Sequence, residues 1–162
     1  MQTYKAYYKS SLGPIEIVGS PDSILSLDFV EEMLPGDGEL PFCVKECLKQ
    51  LNEYFKGQRR EFFLNLEPAG TDFQKSVWRQ LAKIPYGATT SYGAIADILG
   101  KPTACRAVGS ANGKNPIAIV IPCHRVIGSD GSLTGYGGGL WRKRWLIGFE
   151  RGEVDPPGDI TA

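Results

Sequence analysis

The run Ile117-Ala118-Ile119-Val120-Ile121 constrains this chain more than any other stretch. Five consecutive apolar residues leave no polar side to turn towards water, so the segment must be buried on all faces. Asn115-Pro116 signals a turn before it, and Pro122, which cannot donate to a sheet ladder, signals its end. The pattern predicts a short strand buried on both faces. Cys123 then emerges from its end beside His124, the one histidine in 162 residues. A chain of this length holds one domain with a full core, or two small lobes.

The first 70 residues read as a small α/β lobe. Strands are predicted at 3–9, 15–18 and 24–29. In the third, Leu25, Leu27 and Phe29 alternate with Ser26 and Asp28, the pattern of one buried face. A helix is predicted from Pro41, with Val44, Leu48, Leu51 and Phe55 at helical spacing, Cys47 and Tyr54 beside them, and Gly57 as the stop. Residues 61–66 read as a further strand. Pro68-Ala69-Gly70 is the expected lobe boundary.

Residues 71–151 read as a mostly helical lobe. Thr71 and Gln74 form a capping-box pattern ahead of Phe73, Val77, Trp78, Leu81 and Ile84, and Pro85-Tyr86-Gly87 ends that helix. Ser91 can cap a short helix, 92–99, with Ile95, Ile98 and Leu99 as its apolar face. Gly100-Lys101-Pro102 breaks it. Thr103 can cap a second helix to about Asn112, with Ala104, Ala107, Val108 and Ala111 inward and Arg106, Gly109, Ser110 and Gly113 outward. The pair fits a helix-turn-helix as well as an ordinary helical hairpin. Small residues around a single Arg106 suit close approach to another surface. Residues 152–162 are rich in Pro, Gly and Asp and read as a frayed tail.

The net charge of zero hides an asymmetry. Residues 1–70 hold 7 Lys/Arg against 11 Asp/Glu, a balance of −4, and residues 71–151 hold 11 against 4, a balance of +7. A basic second half admits nucleic acid as a partner, and chance clustering accounts for it equally well. No apolar run has the length of a membrane span, and the N-terminus lacks a secretory h-region, so a cytoplasmic protein is expected. Cys43, Cys47, Cys105 and Cys123 are expected as free thiols, with Cys47 in the core. No ligand set for zinc is evident. The glycine-rich stretch after Tyr136 lacks the fingerprint of a phosphate loop, so no nucleotide cofactor is expected.

A cysteine attacks as its thiolate, and a free thiol with pKa ~8.5 is only slightly ionised at neutral pH. An adjacent base raises that fraction. In an extended segment His124 and Cys123 would point to opposite sides, so a tighter turn or a bridging water would have to couple them. Glu150 is a candidate for orienting the imidazole from behind.

Pro122-Cys123-His124-Arg125-Val126-Ile127-Gly128 resembles the active-site signature of the O6-alkylguanine-DNA alkyltransferases. The resemblance extends upstream through Ile84-Pro85-Tyr86-Gly87, Ser91-Tyr92-Gly93, Arg106-Ala107-Val108-Gly109 and Asn115-Pro116-Ile117. Downstream it continues through Leu133-Thr134-Gly135-Tyr136-Gly137-Gly138-Gly139. It implies an α+β fold, a ribonuclease H-like N-terminal lobe and a helical lobe carrying a helix-turn-helix and the acceptor cysteine. It implies single-use DNA repair by a monomer acting on double-stranded DNA that contains O6-alkylguanine, with O4-alkylthymine as a further substrate.

Residue by residue, the resemblance makes Cys123 the alkyl acceptor, His124 the base acting through water, and Glu150 the holder of its tautomer. Asn115 would brace the turn and Tyr92 would donate a proton to the departing guanine. Arg106 would replace the extruded nucleotide, with Thr103, Ala107, Gly109 and Ser110 along the DNA-facing helix in the minor groove. Tyr136, Gly137 and Val126 would line the base pocket. Gly137 stands where some relatives carry a hydroxyl residue. Two other readings compete: an alkylguanine-binding protein that flags lesions, whose kind lacks the acceptor cysteine, and a cysteine hydrolase, which would turn over.

Overall fold

A computed structural model describes residues 2–154. The predicted frayed tail lies outside the described residues from 155 onward. Residues 2–68 and Ala69–Val154 form two compact units.

In the first unit, β1 (Tyr4–Ser10), β2 (Gly13–Gly19) and β3 (Ile24–Phe29) form an antiparallel meander, covered by α1 (Phe42–Phe55). Ala6, Ile15, Ile17, Ile24 and Leu27 from the sheet are buried, as are Val44, Cys47, Leu51, Tyr54 and Phe55 from α1. Each fully buried aliphatic chain is worth ~1.5–3 kcal/mol. Cys47 lies within this core, and burial pushes its thiol up to about 12.

Two expectations fail in this unit. Leu25 and Phe29 are only half-buried, whereas Ile24 and Leu27 are fully buried. For Leu25 the cause is a bulge: Val18 pairs with Ser26 but Gly19 pairs with Ile24, so Leu25 is an extra residue that shifts Ile24 onto the core face, while Phe29 stays in register opposite Ile15. Residues 61–66 are not a strand and make only an isolated bridge from Leu66 to Ile24. A side chain does the work of a neighbouring strand there. The buried Gln50 amide donates to the Phe63 carbonyl at 3.1 Å, and its Oε1 accepts from the Phe63 N–H at 2.9 Å.

The second unit is mostly helical: α2 (Asp72–Leu81), α3 (Tyr92–Ile98), α4 (Cys105–Gly113) and α5 (Leu140–Glu150), with a two-residue parallel pairing of β4 (Thr90–Ser91) on β5 (Val126–Ile127). The α+β class is borne out. Thr71 and Gln74 form the reciprocal capping box of α2, and the Ser91 side chain caps α3. The Trp78 indole donates to the Ala111 carbonyl at 2.8 Å, tying α2 to α4. No helix among the described residues is long and apolar enough to cross a membrane.

Here too the structure corrects the sequence. Ile98 is 65% exposed, and Ala96 takes its place on the buried face with Ile95. Thr103 caps nothing: Ala104 is the N-cap of α4, without a side-chain bond, because the chain leaves α3 through a turn that carries Thr103 to the surface. Ala107 is exposed, and Val108, Ala111 and Asn112 are buried instead.

The largest correction concerns the apolar run. Ile117, Ala118, Ile119 and Ile121 are buried as expected and Val120 is half-buried, but the segment is a turn, not a strand. The Ile121 N–H closes on the Ile117 carbonyl at 3.0 Å, and Ile119 adopts a left-handed φ of 70°. Apolar composition reports burial and is silent about which group satisfies the backbone. Here the Asn115 side chain does so, donating to the Ile121 carbonyl at 2.7 Å and accepting from the Ile117 N–H at 3.0 Å.

Candidate active site

Cys123 opens a 3-10 turn, Cys123–Arg125, rather than ending a strand. All three of its residues are buried, and Cys123 keeps 6% of its surface exposed. The turn feeds β5, whose Val126 and Ile127 pair with Thr90 and Ser91 immediately before Tyr92. The same pairing therefore sets the register of the cysteine turn against the start of α3. The buried Asn112 amide donates to the Cys123 carbonyl at 3.3 Å, which links α4 to the cysteine.

Behind the cysteine lies a charged cluster. His124 Nε2 is 2.7 Å from Glu150 Oε2. Arg125 donates from Nε to Oε1 at 2.8 Å and from Nη2 to Oε2 at 3.0 Å, and the Gly87 N–H reaches Oε1 at 3.3 Å. The third guanidinium nitrogen donates to the Ile84 carbonyl at 2.7 Å. Glycine is strongly favoured at position 87 of this turn. Its φ is +81°, and a Cβ there would come within 3.2 Å of the Glu150 carbonyl oxygen.

Burial opposes charge on Glu150, but the His124 imidazole and the Arg125 guanidinium overcome it and hold the carboxyl well below the usual carboxylate range. Burial pushes His124 down. Glu150 opposes that, while the charges of Arg125 and Lys143 reinforce it. The imidazole is therefore neutral, and Arg125 is the permanent countercharge of Glu150. An ionised carboxylate can only accept, so Nε2 carries the imidazole proton. Nδ1, buried and without a hydrogen-bond partner among the described residues, keeps its lone pair. A base held in one tautomer next in sequence to a buried thiol can draw off the thiol proton.

The other predicted residues fall into two groups. Arg106, Ala107 and Ser110 share one exposed face of α4, and Thr103 is exposed just ahead of the helix. Gly109 lies against the Tyr92 ring, where a Cβ would sit 3.8 Å from Cδ1. The Tyr92 hydroxyl donates to the Thr134 carbonyl at 3.0 Å. Tyr136 is half-buried, Gly137 is exposed with its Cβ position 3.9 Å from the Gly113 carbonyl, and Val126 is fully buried. Among the described residues no three His, Cys, Asp or Glu gather in a way that could hold a metal ion.

The family description "6-O-methylguanine DNA methyltransferase, ribonuclease-like domain" matches residues 3–68, and "6-O-methylguanine DNA methyltransferase, DNA binding domain" matches residues 72–152. The methylated-DNA--protein-cysteine methyltransferase of Mycobacterium tuberculosis is 47% identical over 156 residues, covering 94% of this chain and 93% of its own. This chain belongs to the 6-O-methylguanine DNA methyltransferase family. The methyltransferase of the same name from Methanosarcina barkeri is 48% identical over 156 residues, covering 93% of this chain and 99% of its own. The crystal structure of Mycobacterium tuberculosis O6-methylguanine methyltransferase superposes with a TM-score of 0.84 at 44% identity, covering 99% of this chain and 98% of the other. Mycobacterium tuberculosis OGT in complex with DNA gives 0.83 at 46% identity, covering 92% and 93%. The family resemblance drawn from the motifs is thus borne out.

Three residues of this methyltransferase fold were not singled out from sequence: Arg125, Asn112 and Lys143. Arg125 stood in the quoted motif without a role. Lys143 lies in the basic run Arg142-Lys143-Arg144, which reads as solvated surface. A signal was present, because Lys143, Leu146, Ile147 and Glu150 fall at i, i+3, i+4 and i+7, the spacing of one helix face. That face is buried.

Proposed function

We propose that this protein repairs DNA by moving the alkyl group of O6-alkylguanine onto Cys123, once per molecule. The observation that carries the reading is the neutral His124, locked by the Glu150–Arg125 pair with Nδ1 as its basic atom, directly after a nearly buried cysteine. His124 draws the thiol proton, through water, and the thiolate displaces guanine from the alkyl carbon. Tyr92 supplies the proton that the departing base needs. Nothing in the cluster offers a way to cleave the thioether formed, so the protein is consumed.

The substrate base must leave its stack to meet a cysteine that is 6% exposed. Arg106, on the exposed face of α4, is the residue proposed to fill the vacated space, with Thr103, Ala107, Gly109 and Ser110 along the minor groove. Tyr136, Gly137 and Val126 are proposed to line the base pocket, and Asn115 to brace the cysteine turn. The protein is proposed to act as a monomer on double-stranded DNA in the cytoplasm, as a lobe of residues 1–70 joined to one of 71–151. The relatives' names and the complex of a relative with DNA support this reading.

Incubation with excess duplex carrying labelled O6-methylguanine tests it. One equivalent of methyl should transfer per chain and then stop. Continued turnover would favour a hydrolase, and retention of the methyl on DNA despite tight binding would favour a lesion-flagging protein.

A further inference from the structure

Asn112 is buried near the end of α4, yet only half of its amide is used. Its Nδ2 donates to the Cys123 carbonyl at 3.3 Å, while its Oδ1 has no hydrogen-bond partner among the described residues. Turning the amide over gives no relief, because Oδ1 would then face the Cys123 carbonyl, acceptor against acceptor. His124 Nδ1 is another buried atom in this state. It too can only accept, since Nε2 carries the imidazole proton. One of these atoms is tied to Cys123 by a hydrogen bond and the other by the chain, within the turn Cys123–Arg125. A methionine would fill the Asn112 site beside Val108 and Ala111 without burying an unsatisfied oxygen.

Two buried acceptors next to one cysteine call for a group with two hydrogens to give. Water is such a group, and a buried water typically makes about three hydrogen bonds to polar atoms of this kind. We propose that Asn112 is a positioning residue for the Cys123 thiol, its Oδ1 and His124 Nδ1 accepting the two hydrogens of one water whose oxygen accepts the thiol hydrogen. The proposal rests on the reading of His124 as a base that acts through water. The Cys123 S–H bond breaks as an O–H bond forms on the water. The water's own O–H bond towards His124 breaks as an N–H bond forms at Nδ1. A thiolate and an imidazolium result, the latter paired with Glu150. Asn112 takes no proton. It orients the water so that a lone pair faces sulfur, and by drawing on the second hydrogen it makes the water oxygen a better acceptor. The same side chain holds the Cys123 backbone through Nδ2, so one residue sets both ends of the thiol-to-water bond.

Iodoacetamide tests the thiol without DNA or an alkylated base. Its reaction with Cys123 is timed against pH by peptide mass spectrometry in the intact protein and in Asn112→Met, His124→Asn and the double variant. Cys105, exposed on the same helix, reports in the same digests on the integrity of α4. The charged groups around His124 are Glu150 and Lys143 of α5 and Arg125 of its own turn, and every variant keeps them. Asn112→Met should move the midpoint of the Cys123 profile up by about one pH unit, a roughly tenfold loss of rate at neutral pH, the range of one buried hydrogen bond. The Cys105 profile should stay in place. His124→Asn should raise the Cys123 midpoint at least as far, and the double variant no further than His124→Asn, because both side chains act on the same water. A second measurement needs no substitution. His124 is the sole histidine, so nitrogen-15 labelling of histidine reads Nδ1 directly, and its resonance in the intact protein should be that of a nitrogen accepting a hydrogen bond.

An unchanged Cys123 midpoint in Asn112→Met, while His124→Asn still moves it, overturns the proposal and leaves His124 as the base. An unchanged midpoint in His124→Asn overturns the reading of His124 and the Asn112 proposal with it. If Asn112→Met does not fold, the nitrogen-15 spectrum decides, and a bare lone pair at Nδ1 overturns the shared water.

Discussion

His124 Nε2 and Glu150 Oε2 lie 2.7 Å apart, with both side chains sealed from solvent. This contact dictates which imidazole nitrogen is basic, and it depends on Glu150 staying ionised. Glu150→Gln removes the charge while keeping the shape. Transfer from O6-methylguanine should slow by ~10²–10⁴-fold, the range for loss of a positioned base. Arg125 would also be left buried without its countercharge, at a cost of ~3–5 kcal/mol. Single-turnover kinetics and urea melts measure the two effects, and transfer at the wild-type rate would contradict the tautomer assignment.

Stability should fall in mild acid, and His124 is the cause. Its folded pKa lies below the ordinary 6.5 because burial disfavours the cation. Below that pH the unfolded chain takes up a proton that the folded protein refuses, so unfolding gains ~1.4 kcal/mol per pH unit. His124 is the sole histidine, so the slope between pH 6.5 and 5.5 is its signature. Glu150 acts in the same direction at lower pH, where the unfolded carboxyl protonates first. Urea melts should show the slope in the intact protein and lose it in His124→Asn.

Asn115 holds the turn at 117–121 by bonds to the Ile117 and Ile121 backbone. Asn115→Leu leaves those buried groups unsatisfied, at a cost of ~1–3 kcal/mol each. Because the turn runs into Cys123, the transfer rate should fall along with the melting temperature. A loss of stability with unchanged transfer would separate the turn from the reaction.

Arg106 is exposed on α4 and touches none of the buried cluster. Arg106→Ala should therefore slow repair in duplex DNA at least tenfold, a loss of ~1.4 kcal/mol, while leaving reaction with free O6-benzylguanine unchanged. Equal slowing of both would remove its role in extruding the base.

Local signals in the sequence proved readable where one side chain meets its own backbone a few residues away. The Thr71–Gln74 box and the Ser91 cap are of this kind. Misreadings arose where distant groups decide the outcome. Residues 61–66 and 117–121 look like strands because they are apolar or alternating, but Gln50 and Asn115 supply the hydrogen bonds that strands would otherwise make. The cysteine, the histidine and the carboxylate were legible as a set, because each is of a type that must do something in that setting. Arg125 and Lys143 were not, since the Ile84 and Thr134 carbonyls that hold them are brought close only by the fold.

The central claim is that Cys123 accepts the alkyl group, and peptide mass spectrometry tests it most directly. After incubation with a duplex carrying O6-methylguanine, the peptide holding Cys123 should bear one methyl group, matched by an equal loss from the DNA, and Cys123→Ser should bind the duplex and take none. Methyl on Cys43, Cys47 or Cys105 instead, or repaired DNA with Cys123 unmodified, would contradict the account.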